Sequence, residues 1–254
     1  MALSFLKRLR NGPGRAGADF VAPAVVATCL SLLAILLVRW VLPESHPAAQ
    51  RRQHAEEPRR GSWRLLRERP ALALLAAATL AVTYSQSILE SIVAIWALHK
   101  YGFGPRTVGF LLFSVALPAL LMQGGAVRIL APRLGEARLA MFGVLTYVTG
   151  LITLGQASAL AVTVIGLVLC GTGLGAYNPS AFALASKQSR GHDRGAVLGA
   201  YVASASLARV IGPFTSGPIY ALFGAAAPFL IGACVTLPAA WLVRRVPAAA
   251  PGPD

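Results

Sequence analysis

The strongest constraint on this chain is a succession of apolar runs, each long enough to cross a bilayer and separated by polar connectors. A membrane helix needs about 20 mostly apolar residues, because every backbone N–H and C=O must find its partner within the segment where water is absent. Seven segments meet or approach that length: Phe20–Leu42, Ala71–Leu98, Val108–Val127, Leu139–Leu154, Ala159–Leu184, Ala196–Phe223 and Ala226–Val243. The fourth is the shortest. The sequence therefore predicts an all-α membrane protein with about seven transmembrane helices. A signal peptide does not account for the first run, which is too long and ends at Pro43-Glu44-Ser45-His46-Pro47 without a small-residue cleavage site.

Composition agrees and closes off other classes. In 254 residues, 56% hydrophobic and only 13% charged composition exceeds what a soluble core absorbs, so the excess must face lipid. A net charge of +14 would suit a nucleic-acid partner only if the basic residues shared a folded face with aromatics among them. Here they lie between apolar runs, so no nucleic-acid partner is expected. Cys29, Cys170 and Cys234 each sit inside an apolar run, with no paired spacing and no histidine cluster. That pattern supports neither a disulfide framework nor a zinc site. No phosphate-binding glycine loop, nucleophile, triad or hydrolytic metal motif is present either, so neither enzymatic activity nor a cofactor is expected.

Charge then sets orientation. The linker from His46 to Arg69 carries Arg51, Arg52, Arg59, Arg60, Arg64, Arg67 and Arg69 against Glu56, Glu57 and Glu68. The positive-inside rule puts it in the cytoplasm. The later loops on that side then hold Arg128, Arg133 and Arg138, next Lys187, Arg190 and Arg194, and finally Arg244 and Arg245; the opposite side keeps Lys100 and Arg106. The expectation is a multi-pass protein of the cell membrane with linker and C-terminus cytoplasmic. Its parts are a basic leader (1–19), a first helix (20–42), the linker (43–70), a six-helix bundle (71–245) and a tail (246–254). The leader, with Lys7, Arg8, Arg10 and Arg15, would then lie outside, against the same rule. Two readings meet that misfit: a truncated or split product whose first helix is a remnant, or a helix held by packing despite its flanks.

Four places carry a resemblance to a known family. Leu42-Pro43-Glu44-Ser45-His46-Pro47 with its arginine-rich connector resembles the end of the sixth helix and the central loop of the major facilitator superfamily. Arg133-Leu134-Gly135-Glu136-Ala137-Arg138 is similar to the second-half copy of its short basic loop, without the aspartate typical of the first-half copy. Gly171-Thr172-Gly173-Leu174-Gly175-Ala176-Tyr177-Asn178-Pro179 resembles the tenth helix, and Arg209-Val210-Ile211-Gly212-Pro213 with Gly217 the eleventh. The order and spacing look most like the twelve-helix drug:proton antiporters, including the tetracycline-efflux branch. The resemblance implies that the last six helices form one bundle of that type, the C-terminal half. It also implies efflux of small amphipathic or drug-like molecules, as in multidrug or tetracycline resistance.

Ionisable groups within a bilayer are costly and therefore functional candidates. Glu90 lies well inside the second helix, and Thr83, Gln86, Ser87 and Ala94 fall at offsets that share its face. Such a stripe must face protein or a water-filled cavity. Glu90 then either takes up and releases a proton coupled to substrate movement, or holds two helices together. Arg209 is the second intramembrane charge, about 20 Å from the inner face where Glu90 is about 28 Å deep at 1.5 Å per residue. It is a candidate ion-pair partner of Glu90 or a coupling residue. Tyr177 and Asn178 are candidates for the cavity, or for bonding the backbone that Pro179 frees. Gly171, Gly175, Gly195, Gly199, Gly212 and Gly217 read as helix-packing positions, and Pro118, Pro179, Pro213 and Pro218 as bends. Trp40, Trp63, Trp96 and Trp241, near predicted helix ends, read as interfacial anchors.

The leading expectation is a proton-coupled exporter of which this chain is one bundle. Its partners would be lipid, a small-molecule substrate, protons, and either a separate N-terminal half or a second copy. The alternatives are a non-transporting remnant or assembly partner, and proton-coupled uptake of a small metabolite.

Overall fold

The computed structural model describes residues 16–41, 62–189 and 193–246. Most of the basic leader and the linker, and nearly all of the tail, lie outside the described residues. The chain divides into two units, Met1–Pro58 and Arg59–Asp254.

In the first unit, helix α1 (Ala16–Val41, 26 residues) forms where the first apolar run predicts it. Its side chains from residue 24 to 40 are all exposed, an apolar surface with no covering of its own. Thr28 and Ser31 donate their hydroxyls to the Ala24 and Ala27 carbonyls at 2.8 Å, so polar groups on this surface are satisfied within the helix.

The second unit holds a short helix α2 (Ser62–Glu68) and then six helices long and apolar enough to cross a membrane. These are α3 (Pro70–Tyr101), α4 (Pro105–Leu134), α5 (Glu136–Gly155), α6 (Leu160–Lys187), α7 (Arg194–Phe223) and α8 (Ala227–Arg244). Proline in the first turn opens α3, α4 and α8, where its missing N–H would be unpaired anyway. Gly102 (φ 69°) ends α3 in the left-handed region and returns its N–H to Leu98 O. The boundaries follow the predicted spans within a few residues, except at α4. That helix runs past Val127 to Leu134 through a π turn at Met122–Ala126. Arg128 and Arg133 mark where the chain leaves an apolar environment, whereas the helix itself stops only at Gly135 (φ 82°).

Around the bundle, α4 packs on α6, α6 on α5, α5 on α8, α8 on α3, and α3 on α7. The most extensive backbone contact is between α5 and α6. A Cβ on Gly143 would lie 2.6 Å from Tyr177 N, one on Gly173 2.5 Å from Tyr147 N, and one on Gly150 2.7 Å from Cys170 N. Gly143 and Gly150 on α5, and Gly166 and Gly173 on α6, stand seven residues apart, the interval that keeps one face turned to an antiparallel neighbour. On its other side α6 presents Gly171 and Gly175 to α4; a Cβ on Gly175 would meet Ala119 O at 2.7 Å. Gly212 of α7 admits Ser87 of α3, whose Cβ would be 2.5 Å from an added Cβ.

Two sequence expectations are corrected here. Gly217, like Gly195 and Gly199, has nothing within 4 Å of an added Cβ among the described residues, so none of the three packs one described helix against another. Pro213 and Pro218 lie inside the continuous helix α7, where Thr215 and Ser216 fold their hydroxyls back onto the Gly212 and Pro213 carbonyls at 3.0 Å. Trp96 is not an interfacial anchor. It is 1% exposed and meets Phe229 edge-on at 5.3 Å and Tyr101 at 5.8 Å, because α8 covers that face of α3.

If backbone contact at glycine holds the bundle, Gly173→Leu destabilises it by about 1–3 kcal/mol or more through overpacking. Gly217→Ala, with open space around it, stays within about 0.5 kcal/mol. Thermal unfolding in detergent separates the two, and equal melting temperatures would remove the α5–α6 contact from its role.

Candidate functional site

Three of these helices, α3, α4 and α6, leave a cavity of about 270 Å³ between them. Its polar lining is Gln86 and Glu90 from α3, Gln123 from α4 and Asn178 from α6. The remaining walls are apolar, with Val93, Val115 and Leu174 among them.

Gln86 and Glu90 stand one turn apart, and Gln86 Nε2 donates to Glu90 Oε1 at 2.8 Å. This bond orients the carboxylate along its own helix and leaves its second oxygen for the exposed side. Glu90 lies 4.5 residues past the midpoint of a 32-residue helix. At 1.5 Å per residue that is about 7 Å from the centre, within a hydrocarbon core about 30 Å thick.

Gln123 is a site residue that the sequence reading passed over. It sits in the π turn of α4, five residues after Pro118 and just before Gly124 and Gly125. Pro118 removes a backbone donor, and the π turn inserts one extra residue into the following turn. Its signal was available: it is a lone amide within an otherwise apolar run. Asn178, immediately before Pro179, reaches the same cavity from α6.

The other sequence candidates lie elsewhere. Thr83 and Ser87 are each 5% exposed and do not line the cavity. At about 100° per residue, Leu89, Val93, Gln86 and Glu90 fill one arc of α3 with Glu90 at its edge, and Thr83 and Ser87 lie about 20° and 60° beyond that edge. That side is where Ser87 meets Gly212 of α7. Tyr177 is fully buried, and its hydroxyl shares a 2.9 Å hydrogen bond with Thr79 Oγ1, which ties α6 to α3. Arg209 is exposed on α7 and forms no ion pair with Glu90; the ion pairs among the described residues are Arg69–Asp193 and Lys187–Glu136. α7 turns Gly212 and Thr215 toward α3, with Thr215 Oγ1 3.0 Å from Tyr84 Oη. Arg209 is about 60° round the helix from Gly212.

The cavity thus offers one carboxylate, three carboxamides and apolar walls. This set can exchange a proton at Glu90, accept hydrogen bonds from a cationic nitrogen, and enclose an apolar body. Among the described residues no group of three His, Cys, Asp or Glu is placed to hold a metal ion.

The sequence matches the family pattern of the Major Facilitator Superfamily over residues 15–213 and over residues 75–254. In fold it resembles the human organic anion transporter TETRAN, with a TM-score of 0.65 and 23% identity over 68% of this chain and 41% of that one. It also resembles a peptide transporter, POT, in complex with alafosfalin, with a TM-score of 0.63 and 17% identity over 76% of this chain and 41% of that one. The chain therefore spans about two fifths of the length of these transporters.

The division between packing and cavity residues has a direct check. Tyr177→Phe removes the bond to Thr79 and is expected to cost about 0.6 kcal/mol of stability while leaving ethidium binding unchanged. Gln123→Ala is expected to weaken ethidium binding with little change in melting temperature. A Tyr177→Phe protein that melts normally and binds ethidium less well would return Tyr177 to the cavity.

Proposed function

The chain belongs to the major facilitator superfamily, and on that premise we propose that it supplies one bundle of a proton-coupled secondary transporter that exports small amphipathic or cationic molecules. The observation that carries the reading is Glu90, a carboxylate inside the membrane span, open to a cavity and contacted by Gln86 of its own helix. An ionisable group at that depth is costly unless it works or is paired.

In this reading the ionised Glu90 holds a cationic nitrogen while the apolar walls take the rest of the molecule. A proton arriving from the opposite side neutralises the carboxylate and releases the cargo. Binding and release are then alternatives at one oxygen, which makes proton entry and substrate exit obligatory partners. The three carboxamides orient the bound molecule without competing for the proton. Export, rather than uptake, is favoured by the resemblance of the Gly171–Pro179 and Arg209–Pro213 segments to drug:proton antiporters. The other wall of the path comes from a second bundle, either a separate N-terminal half or a second copy. The two bundles rock about the shared midplane site. The basic end of the bundle faces the cytoplasm of the cell membrane, as the charge asymmetry favours.

The test is Glu90→Gln in proteoliposomes with an imposed pH gradient. Ethidium efflux is expected to lose its dependence on the gradient, while ethidium binding by fluorescence stays measurable. Wild-type efflux from this variant would reduce Glu90 to a structural role.

A further inference from the structure

The α5–α8 pair carries a second feature, independent of the cavity. The helices run antiparallel: an added Cβ on Gly155 of α5 would touch Leu230 of α8 at 2.8 Å, and one on Gly232 would lie 3.5 Å from Leu151. Thirteen residues before Leu151 is Arg138, and thirteen after Gly232 is Arg245. Both helices rise about 1.5 Å per residue, so the two arginines reach the same level, about 20 Å along the pair from that contact. Arg244 precedes Arg245 in the last turn of α8, and all three are exposed.

Nothing within the described residues neutralises this cluster. Glu136, the acid nearest Arg138 in sequence, is held by Lys187 at 2.5 Å, and Asp193 is held by Arg69. The Arg245 guanidinium instead lies 4.1 Å over the ring of Trp241, one turn back, and that ring is 52% exposed. A half-exposed tryptophan at the end of a membrane helix belongs at the headgroup level, and stacking holds the guanidinium at the same depth.

From this arrangement we propose that Arg138, Arg244 and Arg245, set by Trp241, form a binding site for the headgroup of an anionic phospholipid. Guanidinium groups bind phosphate oxygens through paired N–H donors, and three cations at one level attract a net negative headgroup. A zwitterionic headgroup brings its own ammonium to the same cluster and loses that advantage. The favourable placement of cations at the C-terminal end of α8 accounts for part of the charge on α8. It does not account for Arg138, which sits in the first turn of α5.

The full chain is incorporated into nanodiscs of equimolar phosphatidylglycerol and phosphatidylcholine, and the lipid retained on release is identified by native mass spectrometry. Wild-type protein is expected to retain phosphatidylglycerol preferentially. Combined Arg138→Gln, Arg244→Gln and Arg245→Gln is expected to cut that preference by about fivefold per arginine. Arg128→Gln with Arg133→Gln, on α4 at the same end, should lower it by clearly less per arginine. Should the triple variant fail to fold, Arg245→Gln alone is expected to give its own fivefold loss. The proposal is overturned by an unchanged preference in the α5–α8 variants, by an equal loss in the α4 variant, or by displacement of the lipid with inorganic phosphate.

Discussion

Lipid tails are as apolar as leucine, so apolar surface alone gives two membrane helices little reason to associate. What distinguishes a helix neighbour from lipid is how close the backbones come. In this bundle α6 is where that closeness concentrates, with glycine facing α5 on one side and α4 on the other. The cavity follows from the second contact. On α6, Gly171 and Gly175 lie against α4, and Leu167, Leu174 and Asn178 occupy the adjoining arc and line the cavity. At about 100° per residue the two arcs share one side of the helix. The glycines draw α4 in, and the space that remains beside them is the site.

Polar groups in the bundle follow two separate rules. Most hydroxyls, such as those of Ser114, Thr149, Thr153 and Thr172, bond the carbonyl four residues earlier and commit the helix to no particular neighbour. A smaller set crosses between helices, and it centres on α3: Thr79 with Tyr177, Tyr84 with Thr215, Ser85 with Gly232 O and Thr236, and Tyr101 with Thr163. Each such bond contributes only about 0.6 kcal/mol in membrane proteins, so their value lies in fixing which face of α3 meets which partner. Gln86 and Glu90 belong to neither rule, since a carboxylate bonded along its own helix still faces open space.

This difference explains what was legible in the sequence. Spans and most of their ends were, because length and hydropathy are local properties and Gly102 stops α3 on its own terms; the end of α4 at Gly135 was not, because the apolar run stops before the helix does. Glu90, Gln86 and Asn178 were legible as polar groups where lipid forbids them. Thr83 and Ser87 were assigned to the same cavity because periodicity gives the residues that share a face but not the direction in which the face points. That direction depends on α7 and α8, whose placement no local pattern encodes. The seven-residue glycine spacings of α5 and α6 were hidden for the same reason, as each acquires meaning only when read against the other. The Glu90–Arg209 pair was a depth argument, and depth says nothing about rotation around α7.

The same geometry bears on where the bundle can yield. α3 and α7 are joined along their whole length: the Arg69–Asp193 pair near one end, Gly212 against Ser87 and Tyr84 with Thr215 in the middle, and His99 with Tyr220 near the other end. α5 and α6 are joined by glycine from Gly143 against Tyr177 to Gly166 against Leu154, and α4 is fastened to α6 at Gly171 and Gly175. Between α3 and the α4–α6 pair the contacts are sparse, and the cavity occupies that gap. On the α4 side of the gap stand Pro118 and the π turn bearing Gln123, where the regular backbone ladder is interrupted. A change in cavity volume therefore costs least across that gap, where α3 faces the α4–α6 pair. The carboxylate of Glu90 and the amide of Gln123 lie on opposite sides of that gap, so what binds between them acts on an interface that the packing among the described residues leaves sparse.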